Sequence, residues 1–547
     1  MKRKIIALIF TIAMLVGCMV GYASDVVADI PEERILRLAL EDFIGPGALD
    51  PVLSSGAFAQ KLIGPVFESL LTLNLDGIPV PYLAKSWESN EDYTVWTIHL
   101  EEGVRFHDGW GEMTAEDVKF SMERFMGPGS LISTMTDYTP YVEEVVVLDR
   151  YKLAIHLNEP IPLFMEYYMK DGGLQAAGMV MCKAYWDKAG EEGFMKHPIG
   201  TGQWKFVEYL PGDSIIFDAV DEHWTGMVPE FDRLVMMEIP EEGARVAMLE
   251  RGDADFIDVS LDTSKALKKM DYNIVVVKNT GLAGFRMWDT WRPEAIEANM
   301  PLTHREVRQA LSLAINRQEI VDTMFGGLFD PLPFPGPMTP RDAVGIDKER
   351  WTEWAKEGNK YDPERAKELL VGAGFPDGFE ITALSYVASR GPWQRELWEV
   401  IAGYWEKIGV TTNIQNVDFN AYHRPMFRTL PHPDELICTI SLHTSALDIF
   451  PAMSTPIRYE PNSTFAFLDI YNEEWMELIN QVASETDPAL QGKYHDELLG
   501  IIGDQYVNPN LFYVSTIYVV SDKVGDYSTI NGMEFPTMWV KYFKPAK

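Results

Sequence analysis

Histidines and carboxylates are the first residues to consider for metal or acid–base chemistry. Of the ten histidines, His423, His432 and His443 form the closest group, and their spacing is unlike that of known zinc sites. The aspartates between 253 and 258 lack the spacing of a calcium loop, and we expect them to be exposed at a helix-to-strand turn. The sequence also contains no G-x-S-x-G, H-E-x-x-H or P-loop signature. We therefore predict no catalytic centre, no metal and no cofactor.

Aromatic and arginine side chains offer a different chemistry, the binding of a small solute. Trp288, Trp291, Tyr386 and Trp393 have rings that stack on sugars or pack against peptide side chains. Arg286 has the planar donor geometry that pairs with a ligand carboxylate. Core packing explains each tryptophan equally well, and a surface position is the simpler interpretation of Arg286. Both alternatives stay open.

Composition and charge limit the class of partner. The chain has 547 residues, 46% of them hydrophobic, which is enough for two or more cores. Its 47 basic and 82 acidic residues give a formal net charge of −35. Nucleic acid and anionic lipid both require a positive surface, so we expect neither as a partner. The negative charge is interpreted as a solvated surface and not as a site.

The first residues have the pattern of a targeting signal. Residues 2–4 are basic, and the apolar run over 5–16 is too short to cross a bilayer as a permanent helix. Leu15-Val16-Gly17-Cys18 has the form of a bacterial lipobox. We predict a lipoprotein signal peptide over 1–17, with Cys18 lipidated. The alternative is ordinary cleavage after Ala23 or Ala28, which releases a soluble protein.

The stretch over 83–125 predicts a strand, a turn and a helix. Apolar and polar residues alternate from Tyr93 to Leu100, which indicates a half-buried strand. Thr114 is placed as the N-cap of the helix that follows, and Asp117 is in the capping-box position. This strand, turn and helix would position any functional side chains in the first half of the chain.

A second helix is predicted over 301–317. Thr303 and Glu306 are expected to form its capping box. Arg308 has the appearance of a ligand clamp, but we expect it to order the helix and its neighbours.

Alternating strands and helices continue towards the C-terminus. Asp362 followed by Pro363 predicts a helix start. Strands over 379–385 and 410–417 flank a helix over 393–408 in a βαβ unit. That helix carries one apolar face, so we expect the following residues to be core: Trp398, Ile401, Trp405 and Ile408.

Three of these stretches resemble one known family. Between 83 and 124 the order L-A-x-S-W-E, G-V-x-F-H-D-G, T-A-E-D-V-x-F-S-x-E-R closely resembles the extracytoplasmic solute-binding proteins of family 5, the dipeptide- and oligopeptide-binding proteins of ABC importers. The stretch over 301–317 is similar to the family motif P-L-x-D-x-R-V-R-Q-A-L-x-x-A-I-D-R. Residues 361–379 follow Y-D-P-x-x-A-K-x-L-L-x-x-A-G-F-P-D-G-F. The resemblance implies an α/β, two-lobed periplasmic-binding-protein fold of type II, in the large form with an extra subdomain and a two-strand hinge.

The same resemblance implies a domain order. Lobe I is expected to be discontinuous, with lobe II inserted into it. The predicted boundaries are 30–73 for the first part of lobe I, 74–196 for the extra subdomain, 197–280 for the second part of lobe I, 281–510 for lobe II, and 511–547 for the return to lobe I.

The resemblance further implies a ligand cleft between the lobes. The aromatic residues and Arg286 are expected there, and the Gly-rich loop at 198–204 either brings Thr201 near the cleft or is a structural turn only. Peptide-binding relatives hold the peptide's α-amino group with an Asp in a W-x-x-D-Y-x-x-P-like segment. Here the Trp is absent and the Asp position falls near His443 or Thr444, while Asp448 would substitute only with a shift of register.

Three functions follow as hypotheses. The first is an extracytoplasmic receptor that captures short peptides and delivers them to the membrane subunits of an ABC permease. The second is the same role for an oligosaccharide or another small solute, favoured by the lost Asp and the tryptophans. The third is a secreted enzyme. We expect a monomer in the periplasm or on the outer face of the cell membrane, in contact with the membrane only through a lipid on Cys18.

Overall fold

A computed structural model gives the fold of this chain. It describes the following residues: 30–41, 49–53, 62–130, 139–171, 178–287, 290, 293–336, 346–385, 393–417, 438–446, 473–507, 509–530, 536 and 539–546. The strands are β1 (Ile35–Leu40), β2 (Leu71–Leu73), β3 (Pro79–Pro81), β4 (Ala84–Ser89), β5 (Val95–Leu100), β6 (Val142–Asp149), β7 (Lys152–Leu157), β8 (Trp204–Leu210), β9 (Ser214–Ala219), β10 (Arg233–Glu238), β11 (Phe256–Asp258), β12 (Asn273–Met287), β13 (Phe379–Ser385), β14 (Val410–Asn416), β15 (Thr439–Ala446), β16 (Asn510–Val520), β17 (Val524–Asp526) and β18 (Lys544–Pro545).

The helices cover the sheets and fill the connections. They are α1 (Ala115–Met126), α2 (Phe164–Tyr168), α3 (Lys183–Lys196), α4 (Glu242–Arg251), α5 (Leu261–Lys268), α6 (Pro293–Glu297), α7 (Arg305–Leu313), α8 (Arg317–Phe325), α9 (Lys348–Gly358), α10 (Pro363–Gly372), α11 (Gln394–Glu406), α12 (Glu473–Ser484) and α13 (Pro488–Asp504).

A ten-stranded mixed sheet is the main element, with the order β14-β13-β15-β12-β16-β11-β1-β10-β9-β8. We refer to β8, β9, β10, β1 and β11 as the first half-sheet and to β15, β13 and β14 as the second half-sheet. Between them lie β12 and β16, which pair antiparallel over 273–277 with 516–520 and over 281–284 with 510–514. The chain thus crosses from one half to the other on two strands. The predicted two-lobed α/β fold with a two-strand hinge is confirmed.

A second, four-stranded antiparallel sheet with the order β4-β5-β7-β6 lies within the range predicted for the extra subdomain. On β5, Trp96, Ile98 and Leu100 are buried, as the alternation predicts. The backbone N–H of Thr114 donates to Asp117 at 2.9 Å, so the predicted capping box of α1 is confirmed. The apolar side of this sheet shares one continuous core with the first half-sheet.

The second half-sheet has its own core, built mainly against α11. Trp398, Ile401 and Trp405 are fully buried, and Phe285 of β12 stacks on Trp398 with ring centroids 5.7 Å apart. Asp362 caps α10 by accepting the backbone N–H of Arg365 at 3.0 Å. The predicted βαβ unit, its apolar helix face and this helix start are all confirmed.

The capping box predicted for Thr303 and Glu306 is wrong. A 3-10 turn covers Pro301–Thr303, and α7 begins at Arg305. The Thr303 hydroxyl donates to the carbonyl of Met300 at 2.7 Å, so it closes the preceding turn instead of capping the helix. A helix capping box and this 3-10 turn can both be formed by the same residue types. Only the backbone conformation of the turn distinguishes the two arrangements.

Arg308 has the ordering role predicted for it. It is 1% exposed, and its guanidinium donates to the carbonyls of Leu302 at 2.9 Å, Thr303 at 3.1 Å and Gln505 at 3.0 Å. Burial lowers the pKa of Arg308 to about 10, so the group remains protonated at neutral pH. One side chain therefore joins the start of α7 to the end of α13.

We predict that Arg308→Met lowers the free energy of unfolding by about 3 kcal/mol, because three buried carbonyls lose a donor. Urea denaturation at neutral pH measures the change. Arg365→Met is the matched control, since Arg365 is exposed and pairs with Glu368 on the same helix at 2.8 Å. That control should cost less than about 1 kcal/mol. Equal costs for the two variants would contradict the ordering role of Arg308.

Candidate functional site

Strand direction shows where a ligand site can form in this sheet. β1, β10 and β11 are parallel, and β11 runs antiparallel to β16, which enters from the second half-sheet. The carboxyl ends of these three strands therefore point towards the second half-sheet. β13, β14 and β15 are parallel to one another and β15 is antiparallel to β12, so their carboxyl ends point back towards the first. Two sets of carboxyl ends face each other across the crossing strands, the position at which α/β sheets bind ligands.

Arg245 of α4 fixes the carboxyl edge of the first half-sheet. Its guanidinium donates to the carbonyls of Ile239 at 2.6 Å and Pro240 at 2.9 Å, directly after β10. It also pairs with the carboxylate of Asp258, the last residue of β11, at 3.0 Å. That carboxylate accepts the N–H of Glu41, the first residue after β1, at 3.1 Å. Three strand ends are thus held together by one buried cation, which makes this edge rigid before any ligand arrives.

A buried ion pair holds the segment 49–53, which follows the carboxyl end of β1. The carboxylate of Asp50 is fully buried and accepts from Arg124 of α1 at 2.8 Å. Asp50 also accepts the N–H of Val52 at 3.0 Å, and the Arg124 guanidinium lies 3.6 Å above the ring of Trp186. Helix α1, which belongs to the family-like stretch of the sequence, therefore holds the segment 49–53 in place.

The carboxyl edge of the second half-sheet is closed by backbone and indole hydrogen bonds. Ser385, the last residue of β13, accepts the N–H of Val417 at 2.9 Å. The Nε1 of Trp398 donates to the carbonyl of Leu384 at 3.0 Å, which ties α11 to the end of β13. The side chain of Gln394, one turn before Trp398, is buried at this edge.

Arg286 and Trp393 do not share a face of the second half-sheet. Phe285 faces α11, and successive side chains on a strand alternate, so Arg286 points to the opposite face. Arg286 is 6% exposed and lies beside Ser441 of β15. A surface position, the simpler interpretation of its sequence context, is wrong for Arg286.

Trp393 is the N-cap residue of α11 and is half-buried. Its ring contacts Phe325, Phe329 and Phe512, with centroids 5.2, 6.2 and 5.6 Å away. Core packing therefore accounts for part of this side chain, and the residue itself lies at the start of α11. Its predicted contact with a ligand stays a prediction.

Several predicted site residues lie outside the described part of the chain. These are Trp288, Trp291, Tyr386 and Asp448, together with the lipidation candidate Cys18. The backbone of His443 is placed opposite Gly284 on β12, while its side chain is outside the description. Their roles remain predictions.

Thr201 lies at the opposite end of the first half-sheet from the carboxyl edge, because it precedes the amino end of β8, and β8 is parallel to β10. A Cβ on Gly200 or Gly202 would approach the carbonyls of Val66 and Pro65 to 2.1 and 2.2 Å. The glycines are required for this close approach, which supports the structural interpretation of the loop. The Thr201 hydroxyl donates to Glu68 at 2.8 Å.

Glu68 is a buried carboxylate at the centre of four donors. Besides Thr201, the donors are the Tyr82 hydroxyl, His223 Nε2 at 3.0 Å and Trp224 Nε1 at 3.0 Å. Burial alone raises the pKa of Glu68, but the hydrogen bond and charge of His223, with the Tyr82 and Trp224 donors, outweigh burial and lower it. This cluster joins the chain segments around residues 68, 82, 201 and 223, so we assign it a structural role.

Sequence reasoning missed Glu68, Arg245 and Gln394. For Glu68 the available signal was an acid inside the apolar run P-V-F-E-S-L-L, and for Gln394 it was a polar residue four positions before Trp398 on an apolar helix face. Arg245 had no such signal, because its partners are two backbone carbonyls and the carboxylate of Asp258, which the sheet brings together. Hydrogen bonds from a side chain to backbone carbonyls do not produce a recognisable spacing of residue types in the sequence.

Within the described ranges, no three His, Cys, Asp or Glu side chains are grouped so as to hold a metal ion. No helix in those ranges combines the length and apolar character needed to cross a bilayer.

Two half-sheets on a two-strand crossing, with facing carboxyl ends, define a two-lobed ligand-binding fold. Residues 79–430 match the family model described as bacterial extracellular solute-binding proteins, family 5 Middle. The chain therefore belongs to the family 5 solute-binding proteins, and the resemblance found in the sequence is confirmed.

Individual relatives agree with this assignment. Heme-binding protein A of Haemophilus influenzae is 29% identical over 370 residues, which are 63% of this chain and 63% of that protein, less than two thirds of its length. The dipeptide-binding protein of Escherichia coli is 27% identical over 408 residues, 69% of this chain and 71% of the relative. Among solved structures, the periplasmic binding protein DppA of Helicobacter pylori, in complex with the peptide STSA, has 22% identity and a TM-score of 0.69 over 94% of this chain and 98% of that one.

We predict that Arg124→Met lowers the free energy of unfolding by about 3 kcal/mol, because the fully buried carboxylate of Asp50 loses its counter-charge. Thermal and urea unfolding measure the loss. Lys183→Met is the control, since it removes an exposed pair with Asp187 and should cost less than about 1 kcal/mol. In the double variant with Asp50→Asn, part of the loss should be recovered. If the losses in free energy of unfolding caused by Arg124→Met and Asp50→Asn were fully additive in the double variant, the pairing of Arg124 with Asp50 would be contradicted.

We predict that the stabilising effect of Glu68 depends on pH. Its folded-state pKa is below the ordinary 4.5, so its contribution is present above that value and is lost as the pH falls through the folded-state pKa. Glu68→Gln should cost about 2 kcal/mol at neutral pH and progressively less towards about pH 3. Urea unfolding across this range measures the difference. Glu353→Gln, which changes an exposed carboxylate, is the control and should show no such trend. A cost that stays constant with pH would refute the prediction.

Proposed function

We propose that this protein is the extracytoplasmic substrate-binding component of an ABC importer, which captures short peptides by closing its lobes and delivers them to a membrane permease. The observation that carries the proposal is the pair of carboxyl edges facing each other across β12 and β16. A two-strand crossing is short enough to bend while each half stays rigid, which is how hinged domains enclose a ligand.

Rigid carboxyl edges suit a protein that binds a solute and releases it chemically unchanged. Arg245 fixes one edge through internal bonds, so the cost of ordering that edge is met during folding and not during binding. Family membership supports the same function, since the family is one of solute-binding proteins. Peptide is the favoured solute because relatives described as dipeptide-binding and a structure with a bound peptide share this fold.

An oligosaccharide or another small solute is the alternative ligand. It is favoured by the absence of the tryptophan and the aspartate expected in the segment around His443. One relative is described as binding haem, so the family's solutes are chemically diverse.

The same proposal includes the protein's cellular localisation, its partners and its domain boundaries. We infer an extracytoplasmic monomer, held at the membrane by a lipid on Cys18, that docks on the transmembrane subunits of its permease. Lobe I over 30–73, 197–280 and 511–547, the extra subdomain over 74–196, and lobe II over 281–510 are the proposed boundaries. A secreted enzyme is the least favoured function.

We predict that the tetrapeptide Ser-Thr-Ser-Ala or the dipeptide Ala-Ala raises the melting temperature of the mature protein and reduces its radius of gyration, because binding stabilises the closed form. Thermal shift and small-angle X-ray scattering measure the two effects. Maltotriose and haem are the comparison ligands. A response to maltotriose alone would favour the sugar alternative, and conversion of a bound peptide detected by mass spectrometry would favour an enzyme.

A further inference from the structure

The carboxamide of Gln394 is a buried polar group without an internal partner. Its side chain is 1% exposed, and within the described part of the chain neither Nε2 nor Oε1 makes a hydrogen bond. Leaving both a donor and an acceptor unpaired in the interior is costly, and such groups are rare in native proteins. A molecule bound beside such a group can complete its hydrogen bonds.

The position of Gln394 is at the carboxyl edge of the second half-sheet. It is the first residue of α11, and Trp398, four residues later, lies on the same helix face. The Nε1 of Trp398 reaches the carbonyl of Leu384, the next-to-last residue of β13. Because α11 runs antiparallel to β13 in the βαβ unit and rises about 5.4 Å per turn, Gln394 lies further towards the strand's carboxyl end, near Ser385.

The start of α11 adds a second recognition feature. Trp393 occupies the N-cap with helical backbone angles, φ −82° and ψ 0°, and supplies no side-chain cap within the described chain. The first N–H groups of this 13-residue helix therefore point towards the same edge as Gln394. An unpaired carboxamide, uncapped N–H groups and a partly exposed indole converge there.

We propose that Gln394 is a specificity-determining residue of the ligand site and that its carboxamide forms paired hydrogen bonds with the backbone N–H and C=O of one residue of an extended peptide ligand. This inference rests on the proposed function and deepens it. In an extended peptide the C=O and N–H of one residue point to the same side, so they present one acceptor and one donor, which match Nε2 and Oε1. A ligand carboxylate offers acceptors only, so it would leave Oε1 without a donor.

The test is Gln394→Met, which keeps the length of the side chain and removes both polar atoms. The ligand-free protein should melt a few degrees higher, because an unpaired buried carboxamide is gone. The affinity for Ser-Thr-Ser-Ala, measured by isothermal titration calorimetry, should fall about tenfold, because the ligand amide loses its partner. Opposite changes in stability and affinity are the signature, since a purely structural residue would lower stability and leave affinity unchanged.

Gln491→Met is the matched control. Gln491 is also buried, at 4% exposure, but its Nε2 donates to the carbonyl of Val482 at 3.0 Å. Its substitution should lower the melting temperature and leave peptide affinity unchanged. Ester analogues of the tetrapeptide, each with one amide N–H replaced by oxygen, test the pairing directly. One analogue should bind wild type more weakly, and Gln394→Met should not discriminate against it.

The outcomes separate this inference from the proposed function. If wild type binds neither Ser-Thr-Ser-Ala nor Ala-Ala, peptide capture itself is overturned and the amide assignment with it. If wild type binds peptide and Gln394→Met binds it equally well, the role of Gln394 alone is overturned. A loss of affinity for maltotriose but not for peptide in Gln394→Met would assign the carboxamide to a sugar and would also overturn the amide pairing.

Discussion

The hydrogen-bond ladder between β12 and β16 is the connection on which both lobes depend. It holds register over 273–277 and again over 281–283, and between these two runs the register shifts where Asn279 takes a φ of 53°. Thr280 and Thr516 bond to each other through their hydroxyls at 2.8 Å beside this break. The irregular backbone lies between the half-sheets, so bending there disturbs few ladder bonds while each half keeps its own core.

The buried polar groups discussed above are of two kinds. Some find their hydrogen-bond partners within the fold, and one is left to bind a ligand. Arg245, Arg308 and Glu68 each gather three or more internal partners, and they fix strand ends, a helix junction and the base of lobe I. Gln394 is different, because its carboxamide is buried at a carboxyl edge without a described partner. The contrast links stability to recognition: the first three groups are satisfied within the fold, and the carboxamide at the carboxyl edge is not.

Much of the architecture could be predicted from the sequence, and the reasons differ by element. The Thr114–Asp117 capping box and the apolar face of α11 were predicted correctly, because both depend on contacts within one turn or one helix face. The Thr303–Glu306 box was wrong, since the same residue types can close a 3-10 turn. Thr201 carried two interpretations that local pattern could not separate, and the packing of its loop against residues 65 and 66 supports the structural one.

The sequence by itself determined the family, the alternation of strands and helices, and the acidic, solvated surface, because these follow from residue order, periodicity and charge. Only the tertiary structure decided which strand ends face each other, that Arg286 and Trp393 point to different faces, and which buried groups remain unpaired. Those properties arise from contacts between residues up to a few hundred positions apart, such as Gln505 with Arg308. Backbone carbonyls supply many of the hydrogen-bond partners of these buried groups. Every residue type carries the same carbonyl, so these contacts cannot be predicted from the pattern of side chains.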